Sequence, residues 1–189
     1  LPMTVSVVGR EEVESAMQPS LLPLLSEQVP GLFVTARGVM GYGVSTGGSG
    51  AISLRGLSGG AGRLMGLING HPQYMGIMGH PMADAYQSLM VEQAEVLRGP
   101  ASVLYGSNAM GGVVNIVTRK MHEDGVKTDI SAGYGSYNTL QTELTNRIRK
   151  GRFTSVIGGS YNRTDGHRAR MGFDQYTAHI QLGVQMTRA

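Results

Sequence analysis

The chain has 189 residues, a formal net charge of +3, no cysteine and no tryptophan. Absence of cysteine excludes disulfides and thiolate metal centres, and 41% hydrophobic residues with a mean hydropathy of −0.08 exclude a disordered chain. Glycine, at 29 residues, is about twice the usual ~7% share, which points to loop-rich β structure with tight turns and close backbone approaches.

Residues 1–9 lack the basic start and the apolar run of ~7–15 residues that a secretory signal needs. Residues 4–8 predict a short strand. Residues 11–17 predict a helix, with acidic residues early, where a helix N-terminus favours them. A second helix is expected over 20–28, capped by Ser20 and tolerating Pro23 in its first turn; Pro30-Gly31 ends it, and LFVTA follows as a strand. GYGVSTGGSG, residues 41–50, is a flexible loop before the strand AISLRG, and a second Gly-rich loop, 58–62, precedes RLMGLING. The glycines from Gly60 to Gly66 faintly resemble a dinucleotide-binding turn. That motif requires a helix directly afterwards, and LMGLINGHP is poor helix material, so no cofactor is expected. Residues 64–83 hold four glycines and two prolines, unlike the ~20 predominantly apolar residues of a membrane helix. Within them, HPQYMGIMGHPM gathers His71, Met75, Met78, His80 and Met82. Thioether and imidazole together suit soft or borderline metals such as copper; the other explanation is methionine as gap filler and His-Pro as turn chemistry. Residues 83–89 predict a short helix.

The segment 94–120, AEVLRGPASVLYGSNAMGGVVNIVTRK, reads as a strand, a Gly-Pro break, one helical turn with Pro100 at its first position, a loop punctuated by Gly106, Gly111 and Gly112, and the β-branched strand VVNIVT. Up to residue 120 the pattern is α+β. Beyond it the period becomes two. Val126, Thr128, Ile130, Ala132 and Tyr134 oppose Lys127, Asp129 and Ser131. Leu140, Thr142, Leu144 and Ile148 oppose Gln141, Glu143, Thr145 and Arg147. Phe153, Ile157 and Tyr161 continue the pattern, and Ala178, Ile180, Leu182, Val184 and Met186 oppose His179, Gln181 and Gln185. Four antiparallel strands are expected, with turns near 135–138 and 150–152 and a longer loop over 165–174. Such alternation fits transmembrane β-strands, apolar toward lipid and polar toward a lumen, or a soluble sheet with one wet face. Arg147, Arg149, Lys150 and Arg152 are explained by a solvated hairpin turn, not by a nucleic-acid patch. Asp84, Glu92, Glu95, Asp165 and the five histidines show no catalytic spacing, so no enzyme is expected.

The 94–120 stretch closely resembles the end of the plug domain of TonB-dependent outer-membrane receptors, and the likeness extends over nearly the whole chain: TVSVVGREEVES resembles the opening strand and helix, LLPLLSEQVPGLFV the helix running into a VPG turn, AISLRG an arginine-bearing strand, and LMGLINGHP a strand ending in a His-Pro-like turn. The resemblance implies an α+β plug with a small mixed sheet over 1–120, followed over 121–189 by about four antiparallel transmembrane strands of an incomplete barrel. Because four strands cannot close and open edges are not viable in lipid, the chain is expected to be the opening part of a longer receptor. The segment that engages the TonB complex is expected upstream of it. The resemblance further implies plug loops facing outward at 41–49, 58–62 and 73–85, with Tyr42, Ser45, Ser58, Arg63, Gln73 and Tyr74 as ligand-binding candidates. Arg55 and Arg98 would meet acidic residues of the barrel wall, and His71, Met75, Met78, His80 and Met82 are the candidate metal donors. The plug ending departs from the glycan-importing SusC type, which favours a compact ligand: an iron–siderophore, haem, a corrinoid or a metal. Outer-membrane lipid is the other expected partner. A soluble periplasmic binding module with the same α+β core is the alternative; a structural or adhesive β protein would leave residues 94–120 unexplained.

Overall fold

A computed structural model describes residues 4–16, 18–34, 52–58, 64–75, 80–81 and 87–186. The chain falls into two compact units, Leu1–Thr118 and Arg119–Ala189.

The first unit opens with β1 (Thr4–Val8), α1 (Arg10–Ala16) and α2 (Leu21–Gln28). Each helix starts where a side chain takes up an orphan backbone donor. Glu12 Oε2 accepts from the Gly9 N–H at 2.9 Å, the reciprocal half of a capping box. Ser20 accepts from the Leu22 N–H at 3.3 Å. Arg10 pins α1 in place, donating to the Ser88 and Val91 carbonyls at 3.1 Å each. Short strands follow: β2 (Leu32–Val34), β3 (Ile52–Leu54), β4 (Leu57–Ser58), β5 (Leu64–Ile68), β6 (His71–Pro72), β7 (Tyr74–Met75) and β8 (His80–Pro81). The unit ends with β9 (Val91–Arg98), α3 (Ser102–Tyr105) and β10 (Gly112–Thr118).

The central sheet has the order β1-β9-β10-β5-β6 and is mixed: β10 runs antiparallel to β9 and parallel to β5. The strand at 112–118 thus pairs inside the sheet of the first unit. On one face, Val8, Val91, Ala94, Val96, Val114 and Ile116 pack against Val13, Leu21, Leu22 and Leu25 of the helices and against Ile52 and Leu54. On the other, Met65, Leu67 and Val113 are covered by Ala101 and Ala109. Gly112 has φ +149°, and a Cβ there would lie 2.3 Å from the Leu97 carbonyl oxygen, so no other residue fits between β9 and β3.

Two local expectations are corrected. Pro100 is not the first helical residue. Leu104 and Tyr105 donate to the Ala101 carbonyl, which makes Ala101 the N-cap and leaves the proline one position outside. Of the helix expected over 83–89, residues 83–86 lie outside the described residues; Gln87 forms an isolated bridge with Ser20, and a 3₁₀ turn spans Ser88–Met90.

The second unit is an antiparallel meander: β11 (Gly125–Gly135), β12 (Thr139–Lys150), β13 (Phe153–Thr164) and β14 (Phe173–Val184), paired in chain order. The 151–152 turn places Gly151 at φ +58° in the first central position, where a type II′ hairpin takes glycine. At the other end lie a three-residue turn, where Tyr137 and Asn138 both have positive φ, and the loop 165–172.

Candidate functional site: plug loops and the two faces of the meander

In the first unit, the expected ligand loops fall around β4 and β6–β8. Tyr42, Ser45, Arg63, Met78 and Met82 lie outside the described residues. Ser58 ends β4, and Tyr74 and Met75 form β7. His71 is exposed in β6, and the half-buried Gln73 donates from Nε2 to the His71 carbonyl at 3.3 Å. β7 pairs antiparallel with β8 so that Met75 stands opposite His80 and Tyr74 opposite Pro81 in the register. Of the metal candidates, therefore, backbone pairing joins Met75 and His80. Arg55 is exposed in the turn between β3 and β4 with φ +53°. Arg98 donates to the Pro30 carbonyl at 3.4 Å, while its buried Nε has no acceptor among the described residues.

The meander has inverted amphipathicity. Register rows such as Ile130–Leu144–Gly159–Ala178 and Val126–Ile148–Ser155–Leu182 share a face that is open to the surroundings, with Ile180 67% and Tyr176 78% exposed. The opposite face carries most of the polar positions and most of the buried ones, among them Thr145 at 3%, Arg147 at 6% and Asn162 at 1%, whereas Ser155 is the buried exception on the open face. A soluble sheet with one wet face does the reverse. Two polar groups on the apolar face are paired in the way hydrocarbon demands: Asn146 donates to Thr128 Oγ1 at 2.8 Å and Thr142 to the Tyr161 carbonyl at 3.1 Å. From Val126 to Tyr134 the band runs roughly 27 Å along the strand at ~3.4 Å per residue, or about 20 Å across at the ~40° tilt usual for membrane strands. Tyr134, Tyr161 and Tyr176 border it at one end, the last two stacked with centroids 4.7 Å apart.

On the polar face, Asp129 Oδ2 receives Arg147 Nη2 at 2.5 Å and Arg119 Nη2 at 3.0 Å. Both guanidinium groups are almost fully buried and Asp129 is about a third exposed. Arg149 donates to the Met121 carbonyl at 3.1 Å and to Gln185 at 3.2 Å, tying the 119–124 segment and the end of β14 to β12. Here the solvated-turn reading of the four basic residues is corrected: Lys150 and Arg152 are exposed, but Arg147 lies within β12 on the polar face and pairs with a carboxylate. Alternation had assigned Asp129 and Arg147 to polar faces. Their meeting follows from the register, in which Asp129 opposes Thr145, two residues from Arg147, and register is not legible in one strand's pattern. An open cavity of about 410 Å³ near the 151–152 turn is lined by Lys120, His122, Arg149, Arg152, Gln181 and Gln185, among others.

An α+β unit followed by a sheet that is polar within and apolar without belongs to the class of outer-membrane receptors that carry a plug. Residues 1–113 match the family model described as TonB-dependent Receptor Plug Domain, and the chain belongs to the TonB-dependent receptor family. The family's members are transporters of the outer membrane, not enzymes. Among solved structures, the ferric yersiniabactin uptake receptor FyuA from Yersinia pestis is 24% identical with a TM-score of 0.69. The match covers 95% of this chain and 28% of that one. For the siderophore receptor PirA from Pseudomonas aeruginosa the figures are 23% identity, TM-score 0.67, and 97% and 32% coverage. The copper transporter OprC gives 19% identity, TM-score 0.74, and 96% and 28% coverage. At these identities the likeness is one of fold, and the chain spans about a third or less of the length of these receptors.

Proposed function

We propose that the chain supplies the plug and the opening barrel strands of a receptor that imports a compact, scarce ligand (an iron–siderophore, haem, a corrinoid or a metal) with energy delivered through the TonB complex. The inverted amphipathicity of β11–β14 behind a plug unit is the observation that carries this reading, because a soluble periplasmic module would bury those apolar positions. The ligand meets the outward plug loops, with Tyr42, Ser45, Ser58, Arg63, Gln73 and Tyr74 as contacts. Force applied to the plug then rearranges it to open a path. Arg55 and Arg98 hold the resting plug against acidic groups of the barrel wall. In the family's topology, the 151–152 turn is periplasmic and the 136–138 turn and 165–172 loop are extracellular; a short turn at one end and a longer loop at the other agree with this.

Within the ligand class, the pairing of Met75 with His80 supports a soft-metal or haem site completed by His71, Met78 and Met82. Siderophore and copper receptors alike occur among the structures of this fold. The test is to replace His71, His80 and Met78 together in the full receptor and measure Cu(I) binding by metal analysis and haem binding by absorbance. Loss of copper or haem binding in the variant is the expected result. Unchanged binding, or none in the parent, leaves the stretch as turn chemistry and directs the search to iron chelates.

A further inference from the structure

β5 and β6 are joined by the only Asn-Gly pair in the sequence. Ile68 pairs with His71 across it, and Asn69 and Gly70 both have positive φ, +50° and +82°, as a two-residue type I′ hairpin requires. Asparagine before glycine is also where a chain most readily attacks itself, because glycine has no side chain to shield its nitrogen. The Gly70 nitrogen adds to Asn69 Cγ, the Cγ–Nδ2 bond breaks, and ammonia leaves with the displaced backbone proton. Water then opens the cyclic imide at either carbonyl, giving aspartate or isoaspartate.

In this fold both reacting groups are held elsewhere. The Asn69 carboxamide is turned onto the end of β10: Nδ2 donates to Thr118 Oγ1 at 2.7 Å, and Oδ1 accepts from the Thr118 N–H at 3.0 Å. The Gly70 N–H donates to Asn115 Oδ1 at 3.1 Å. Asn115 is itself fixed, donating from Nδ2 to Glu95 Oε2 at 3.1 Å, and Gln93 donates to the other oxygen of that carboxylate at 2.8 Å. Cyclisation therefore has to break the bonds to Thr118 and Asn115 and swing the carboxamide back toward Gly70. Water is no obstacle, since Gly70 is exposed.

We propose that Asn69 is a deamidation site that the resting plug keeps closed, and that Asn115 and Thr118 are the residues that close it. Conversion follows when the β5–β6 turn leaves β10. The product lacks the Nδ2–H donor to Thr118, and isoaspartate adds a carbon to the main chain of the turn. Both changes favour the released turn, and the lost amide is not restored. This chemistry depends on neither the ligand nor the sidedness proposed above.

The test incubates the full receptor at neutral pH, folded in mild detergent and unfolded in urea. Mass spectrometry then follows the tryptic peptide 64–98, in which Asn69 is the only asparagine. The folded parent should convert at least roughly tenfold more slowly than the unfolded chain, because the turn must first open. In the folded receptor, N115L and T118V should each raise the rate about tenfold, the effect of losing one hydrogen bond. T118S, which keeps the hydroxyl, should not. Equal rates in folded and unfolded parent overturn the closure, and no conversion in either overturns the site. No acceleration by N115L and T118V, or equal acceleration by T118S, overturns the roles of the two side chains. The comparison of folded with unfolded parent needs no variant, so it decides the closure even where a substitution impairs folding.

Discussion

Asp129 neutralises two guanidinium groups at once, and it is the residue of the meander whose removal has the clearest expected cost. Replacing it with asparagine keeps the shape and removes the negative charge that the buried Arg147 and Arg119 share. Breaking a fully buried pair costs about 3–5 kcal/mol; Asp129 is about a third exposed, so solvent screens part of this, and about 2 kcal/mol is expected. The measurement is the unfolding midpoint of the full receptor in detergent, parent against D129N. An unchanged midpoint would mean that the arginines find another acceptor. Arg119 follows β10 by one residue, so the same substitution should loosen the junction between the last plug strand and the first barrel strand. Faster hydrogen exchange at residues 119–124 would show that loosening.

At the scale of the element, β14 separates the two readings of period-two alternation. Ile180 is central on the strand and exposed. On a soluble sheet, Ile180→Arg would be nearly neutral. In lipid, an arginine near the bilayer midplane costs about 2–4 kcal/mol. Folding of the full receptor into vesicles should therefore be weakened by I180R and left intact by I180L, whereas arginine at Gln181, on the polar face, should be tolerated. Equal tolerance at 180 and 181 would return the strand to the soluble class.

For the whole molecule, the prediction concerns orientation in the membrane. Single cysteines at 151 and 168 in an otherwise cysteine-free chain allow labelling of intact cells with an impermeant maleimide. Label should reach position 168 and not 151; the opposite outcome reverses the topology of all four strands, because a meander alternates direction at every turn.

Local periodicity and turn chemistry were enough to locate α1, α2, β1, β10 and all four meander strands, because each depends on interactions within a few residues: caps at Gly9 and Ser20, Pro-Gly stops, and side chains alternating every second residue. The order of residues also placed apolar and polar positions on opposite faces. It did not say which face is exposed, since alternation is symmetric under exchange of inside and outside; that was decided by the buried Thr145, Arg147 and Asn162 opposite the exposed Ile180 and Tyr176. Nor could it bring Arg119, Asp129 and Arg147 onto one carboxylate, or seat Met75 across from His80, because both depend on strand register. The mixed sheet has the same origin: β5 lies beside β10 although more than 40 residues separate them in sequence. Pairings of that range are chosen by burial of the shared core, in which Leu64, Val114 and Ile116 close over α2, and no local signal encodes them.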